Sequence, residues 1–179
     1  MADPQLVDPH TYPGRPWPLS SLTVTYTDQY LRRAFSLIED SLVPDSIFFL
    51  GDLFDGGREW STATTQSPEE RYRKYGDAFW LKEYDRFSKI FFKQWNRNPA
   101  RSGNEGRGRR LVASLPGNHD LGFGNGVQPA VRRRFQAYFG RGNRVDVVGN
   151  HTVVSVDTVS LSAMDEPDPE TGNTGYGAS

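Results

Sequence analysis

Apolar positions recur along this chain at two different spacings. From Asp28 to Leu42, the residues Leu31, Ala34, Phe35, Ile38 and Leu42 fall on one helical face, after a Thr27 or Asp28 cap and before Pro44, and predict an amphipathic helix. "SIFFL" at 46–50 and "LVASL" at 111–115 are instead short, mainly apolar runs that read as buried strands, the first as in a sheet covered on both faces. "SPEE" at 67–70 combines a serine cap, a proline in the first turn and a glutamate three residues after the serine. A long helix is expected to start there and run through Trp95, carrying Tyr75, Phe79, Tyr84, Phe87, Ile90 and Phe91 on a wide apolar face despite Gly76. "PAVRRRFQAYF" at 129–139 predicts another helix, with Arg132 to Arg134 on a solvated face. "RVDVV" and "HTVVSVDTVSL" read as strands joined by a hairpin turn at Gly149 and Asn150. Residues 3–18 are proline-rich and read as irregular, 97–110 as a flexible basic loop with solvated arginines, and 165–179 as irregular. Helix alternating with buried strand gives an α/β fold class, and 179 residues without an internal repeat give one domain, 1–179.

Composition removes several classes of function. A formal charge of -1, from 21 basic and 22 acidic residues, lacks the basic excess of a general nucleic-acid binder, so no nucleic acid is expected as a partner. With no cysteine there is no disulfide framework, thiolate metal site or cysteine nucleophile. No apolar run approaches the roughly 18 residues of a membrane span, and Asp3 stands where a signal peptide carries basic residues, so the chain as given reads as soluble.

Candidate chemistry gathers in three segments of one kind: "ADPQ", "GDLFDGG" and "GNHD", the last two directly after predicted strands. In open α/β sheets ligands collect beyond the carboxyl ends of strands, so these clusters can converge. Asp52 follows its strand immediately, with Gly51 leaving room for close backbone approach. Two divalent cations about 3.5 Å apart repel by roughly 19 kcal/mol at an effective dielectric of about 20, so a metal pair needs an anionic bridge, and Asp52 is the candidate. Asp55 reads equally well as a turn-capping aspartate. In "GNHD", Asn118 offers an amide oxygen, His119 an imidazole to stabilise or protonate a phosphoester, and Asp120 a carboxylate to fix the tautomer of His119.

Taken together, the D-x-x, G-D-x-x-D and G-N-H-D strings resemble the calcineurin-like metallophosphoesterases. The longer strings "ADPQLVDPHTYPGRPW", "GDLFDGGREW", "LPGNHDLGFG" and "GNHTVVSVDTVSLS" resemble the GPI-anchor-remodelling branch of that superfamily, of fungal Cdc-one and Ted-one type. The resemblance implies a β-sandwich flanked by helices (α/β/β/α), and two divalent ions, Mn²⁺ first with Zn²⁺, Mg²⁺ or Fe as alternatives. It implies metal ligands at Asp3, Gln5, Asp52 and Asn118, and catalytic roles for His119 and Asp120. The implied reaction removes ethanolamine phosphate from GPI-anchor mannose by attack of a metal-bridged hydroxide. The implied setting is the lumenal side of the endoplasmic reticulum or Golgi membrane, reached through segments outside this chain. The alternatives are an inactive homologue with only a binding role, or a phosphomonoesterase or protein phosphatase of the same superfamily. Gln5 stands where the wider family has histidine, which shifts the expected preference toward Mn²⁺ or Mg²⁺, while His10 lies nearby as a possible substitute. The later histidine and G-H-x-H motif of the family have no counterpart, since His151 reads as structural. The chain is accordingly expected to be truncated at both ends, with an incomplete second sheet, uncovered apolar faces, poor metal binding and no activity of its own. The "NHT" sequon at Asn150 gives weak support to a lumenal location.

Overall fold

A computed structural model describes residues 1–12, 14–59, 75–97 and 109–165. Strands β1 (Ser46–Phe48) and β2 (Arg110–Val112) pair in parallel, Ser46 opposite Arg110 and Phe48 opposite Val112. On the other side of β1 run residues 1–6, which the sequence reads as irregular. Met1 donates its amino group to Phe48 O (2.8 Å), Leu50 N to Met1 O (2.9 Å), Gln5 N to Asp52 O (2.9 Å) and Leu6 N to Leu53 O (3.0 Å), and Leu6 bridges Phe54 in parallel. Backbone pairing and the burial of Pro4 and Leu6 override the local proline signal. Three parallel segments therefore deliver "ADPQ", "GDLFDGG" and "GNHD" to one region.

Helix α1 (Leu19–Leu42) begins well before Asp28. Its first turns are rich in serine and threonine, weak helix formers, and the hydroxyls of Thr23, Thr25 and Thr27 bond back to Leu19 O, Ser21 O and Thr23 O at 2.8–2.9 Å. Val43 closes it in the left-handed region (φ 44°), its N–H on Glu39 O. Helix α2 (Asp77–Phe87) passes through a π-helical turn (Ser88–Phe92) into α3 (Lys93–Arg97). The expected start at "SPEE" lies outside the described residues. Gly76 is extended (φ -157°), so the helix expected to run through it begins after it. Trp80, Phe87, Ile90, Phe91 and Trp95 are buried, and the ring of Phe87 meets Phe49, Phe54, Phe91 and Phe139 at 4.7–5.9 Å.

After β2 come α4 (Asn118–Leu121), a 3₁₀ turn (Gly124–Gly126) and α5 (Pro129–Phe139), with proline in its first turn as expected. β3 (Arg144–Val148) and β4 (His151–Ser155) form an antiparallel hairpin about the Gly149–Asn150 turn, Val145 opposite Val154. The run expected to remain strand through Leu161 turns instead into α6 (Thr158–Asp165), because Asp157 accepts both the N–H (2.9 Å) and the hydroxyl (2.6 Å) of Ser160, a helix-starting arrangement. The class is thus α/β, with two small sheets among the described residues, one parallel and one antiparallel.

Two arginines expected in solvent are not there. Arg134 is buried, donating to Gly57 O (2.9 Å) and Glu59 O (2.7 Å) over the ring of Trp80. Arg109, in the expected basic loop, stacks on Trp95 (3.5 Å) and bonds the buried Glu39 (3.2 Å). Residues 98–108 and 166–179 lie outside the described residues. Among the described residues no helix is long and apolar enough to cross a membrane.

Candidate metal centre

Three and four residues beyond the end of β1, the chain turns through the left-handed region at Gly51 (φ 96°) and Asp52 (φ 46°), presenting the Asp52 carboxylate to the loop after β2. Asp52 Oδ1 accepts the N–H of His119 at 2.8 Å. The two loops approach so closely that a Cβ on Gly117 would sit 2.0 Å from Asp52 Oδ1 and 2.4 Å from Asp52 N. Only glycine fits there.

Asp120 ties the same loops together from beneath. It is 1% exposed and accepts Gly117 N (2.9 Å), Leu53 N (3.0 Å) and Phe54 N (3.0 Å). Burial pushes its carboxyl up to about 7, with the Asp52 charge adding to the rise and the three N–H groups opposing it. Its oxygens are spent on backbone amides, so the expectation that Asp120 fixes the tautomer of His119 is corrected. The imidazole Nδ1 instead lies 2.9 Å from Asp55 O, 3.4 Å from Asp55 Oδ1 and 3.0 Å from Arg58 Nη1. Arginine can only donate, so Nδ1 either gives its proton to the Asp55 carbonyl or accepts one from Arg58. Both arrangements engage Nδ1 and leave Nε2 for a ligand.

Asp55 and Arg58 are thus the residues sequence reasoning missed. The available signal was the second aspartate of "GDLFDGG", three positions after Asp52, which a turn-capping role explained equally well. Arg58 had no local signal; its N–H donates to His119 O at 2.8 Å, a contact visible only in space.

Asp3 (φ 45°) and Gln5 (φ 36°) share with Asp52 a left-handed backbone that only glycine adopts without cost. Three strained non-glycine residues in paired segments mark a place where side-chain direction outweighs backbone comfort. The side chains of Asp3, Gln5 and Asn118 make no hydrogen bond among the described residues, leaving their oxygens available. His10 is turned toward the core, its ring 5.4 Å from Tyr75 and 5.0 Å from Phe79 with Nδ1 3.3 Å from Asp8 Oδ1. His151 is exposed on β4, opposite Val148. The donor chemistry, two carboxylates and two amide oxygens, fits a hard divalent cation. Among the described residues no three His, Cys, Asp or Glu side chains form a metal-binding group.

Against known proteins, the chain is 43% identical over 167 residues to Cell division control protein 1 of Saccharomyces cerevisiae, across 93% of this chain. It is 27% identical over 164 residues, 92% of its length, to the Metallophosphoesterase 1 homolog of Drosophila melanogaster. The chain belongs to the metallophosphoesterase superfamily. Within it, the higher identity places this metallophosphoesterase chain in the branch of the yeast protein. It spans 28% of the yeast relative's length and 34% of the fly relative's. No family model and no solved structure matches the metallophosphoesterase chain.

Proposed function

We propose that this chain carries part of the centre of a metal-dependent phosphoester hydrolase, with Asp52 as its central carboxylate. The observation that carries the reading is the junction at Asp52: a left-handed aspartate in the loop after a parallel strand, bonded to the backbone of His119, in a chain related to metallophosphoesterases. Asp3, Gln5, Asp52 and Asn118 would hold divalent ions, and the all-oxygen set supports Mn²⁺ or Mg²⁺ over Zn²⁺. Such ions, when bound, supply charge neutralisation on the phosphoryl oxygens. His119, held at Nδ1 by Asp55 and Arg58, directs Nε2 at the substrate as hydrogen-bond donor and proton source for the leaving oxygen. Asp120 and Gly117 act as positioning residues, fixing the two loops against one another.

The likeness of "GDLFDGGREW" and "LPGNHDLGFG" to the GPI-anchor-remodelling branch supports a phosphodiesterase acting on ethanolamine phosphate of the anchor mannose. It also supports a helix-flanked sandwich in the whole domain, and a lumenal site at the endoplasmic reticulum or Golgi membrane. Asp52→Asn tests the assignment: with the protein at its full natural length and Mn²⁺ present, hydrolysis of bis(p-nitrophenyl) phosphate should fall at least about a hundredfold, and unchanged turnover would remove Asp52 from the centre. A second reading, a homologue with only a binding role, draws on the lack of a three-ligand group among the described residues. It requires that wild type and Asp52→Asn be equally inactive in that assay.

A further inference from the structure

Helix α1 has two apolar faces. One packs Phe35, Leu31 and Ile38 on the core. On the opposite side Leu19, Leu22, Tyr26, Tyr30 and Leu37 follow one another at intervals of three, four, four and seven, which keeps them in a straight stripe about 27 Å long. They are 51%, 43%, 67%, 72% and 66% exposed, and Trp17, just ahead of the helix, is 72% exposed. A solvent face of an ordinary helix alternates charges; this one presents leucine and aromatic rings flanked by serine, threonine and glutamine.

The charges on the helix are sorted. Asp28 turns inward to Arg86 (2.7 Å), and Glu39 is buried against Arg109 (3.2 Å). Arg32 and Arg33 point outward and form no ion pair among the described residues. Asp40, in the last turn, is the one exposed acid of α1. Arg33 falls within the apolar stripe itself. Asp40, two turns after Arg33 on the same side, already has an interaction of its own, so a second copy packed on this face would bury the Arg33 guanidinium only by taking that carboxylate from its present partner, a costly arrangement. An anionic lipid surface answers every element at once: leucines enter the acyl boundary, tyrosine and tryptophan rings settle at headgroup level, and the arginines snorkel to lipid phosphates.

We propose that the outward face of α1, continued by Trp17, lies flat on an anionic membrane surface. The proposal rests on α1 alone and stands whether or not the chain hydrolyses phosphoesters. The test is co-sedimentation of the 179-residue chain with phosphatidylcholine vesicles, with and without roughly a quarter of phosphatidylserine. Binding is expected to the mixed vesicles, weakening as salt is raised. Tyr26→Ser with Tyr30→Ser should lower the partition coefficient about tenfold or more, and Arg32→Gln with Arg33→Gln about fivefold per arginine. All four side chains are exposed, so both variants should keep the wild-type circular dichroism and unfolding midpoint. Absence of binding to the mixed vesicles, or binding unchanged in the tyrosine variant, would overturn the proposal. So would a concentration-dependent dimer that the tyrosine variant abolishes while vesicles are left unbound.

Discussion

Replacing Gly117 by alanine probes the junction of the two loops with one methyl group. The added carbon would lie 2.0 Å from Asp52 Oδ1, 2.4 Å from Asp52 N and 2.5 Å from Asp52 Cγ, where ordinary contact begins at 3.4 Å. Two of the three obstructing atoms belong to a short side chain held at its root, and the third is backbone, so rotation about one bond does not relieve the overlap. The loops must part by about 1 Å. That separation breaks the N–H of His119 to Asp52 Oδ1, a bond to a charged group worth about 1.5–3 kcal/mol. Overpacking strain adds about 1–3 kcal/mol. The expected cost is therefore about 2.5–6 kcal/mol, a large part of the 5–15 kcal/mol typical of whole-domain stability. Urea unfolding followed by tryptophan fluorescence measures it, with Gly126→Ala as reference, because a Cβ there meets nothing within 4 Å. A Gly117→Ala chain within about 1 kcal/mol of the reference would show that the loops are not locked at this point.

Asp120→Asn offers one carbonyl oxygen and an NH₂ group to three backbone donors that both carboxylate oxygens now serve, so it should cost about 2–4 kcal/mol in the same unfolding assay; wild-type stability would refute the bracing role. Glu83, buried in α2 beside Arg86, has its carboxyl pushed up to about 7 from 4.5 by burial. A raised carboxyl favours the folded state fully below its unfolded value and loses that advantage as pH climbs through the folded one. Between pH 4.5 and 7, stability should fall by about 3 kcal/mol in wild type relative to Glu83→Gln, and parallel pH profiles of the two proteins would contradict it.

The sequence made the strands legible because "SIFFL" and "LVASL" are short, mainly apolar runs bounded by turn formers, although β1 keeps only Ser46–Phe48 and β2 only Leu111 and Val112 of them. The helix over Pro129–Phe139 was legible for a similar reason, a proline at one end and a glycine at the other. The first turns of α1 were hidden because serine and threonine signal turns as readily as helix, and only the back-bonded hydroxyls decide between them. Residues 1–6 were hidden because strand pairing is a long-range event: Leu6 meets Phe54, and nothing near position 6 records that. At the site, residue types named Asp3, Gln5, Asp52, Asn118 and His119 as candidates, but roles depend on where hydrogen bonds end. Asp120 and Asp55 are both acids close to His119, and only geometry shows that Asp120 faces backbone amides while Asp55 faces the ring.

The carboxylate of Asp120 also constrains the order in which this chain can assemble. Its bonds to Leu53 and Phe54 join residues 67 and 66 positions apart, and Met1 reaches Phe48 across 47. Each closure carries an entropic cost before any contact rewards it. Helices α1 and α2 rest on local contacts, whereas the left-handed Asp52 is held by a bond to His119 across 67 residues, a contact expected to close late. A nascent chain ending short of Asp120 would display the motif's letters without its shape, so function at this place is a late product of folding.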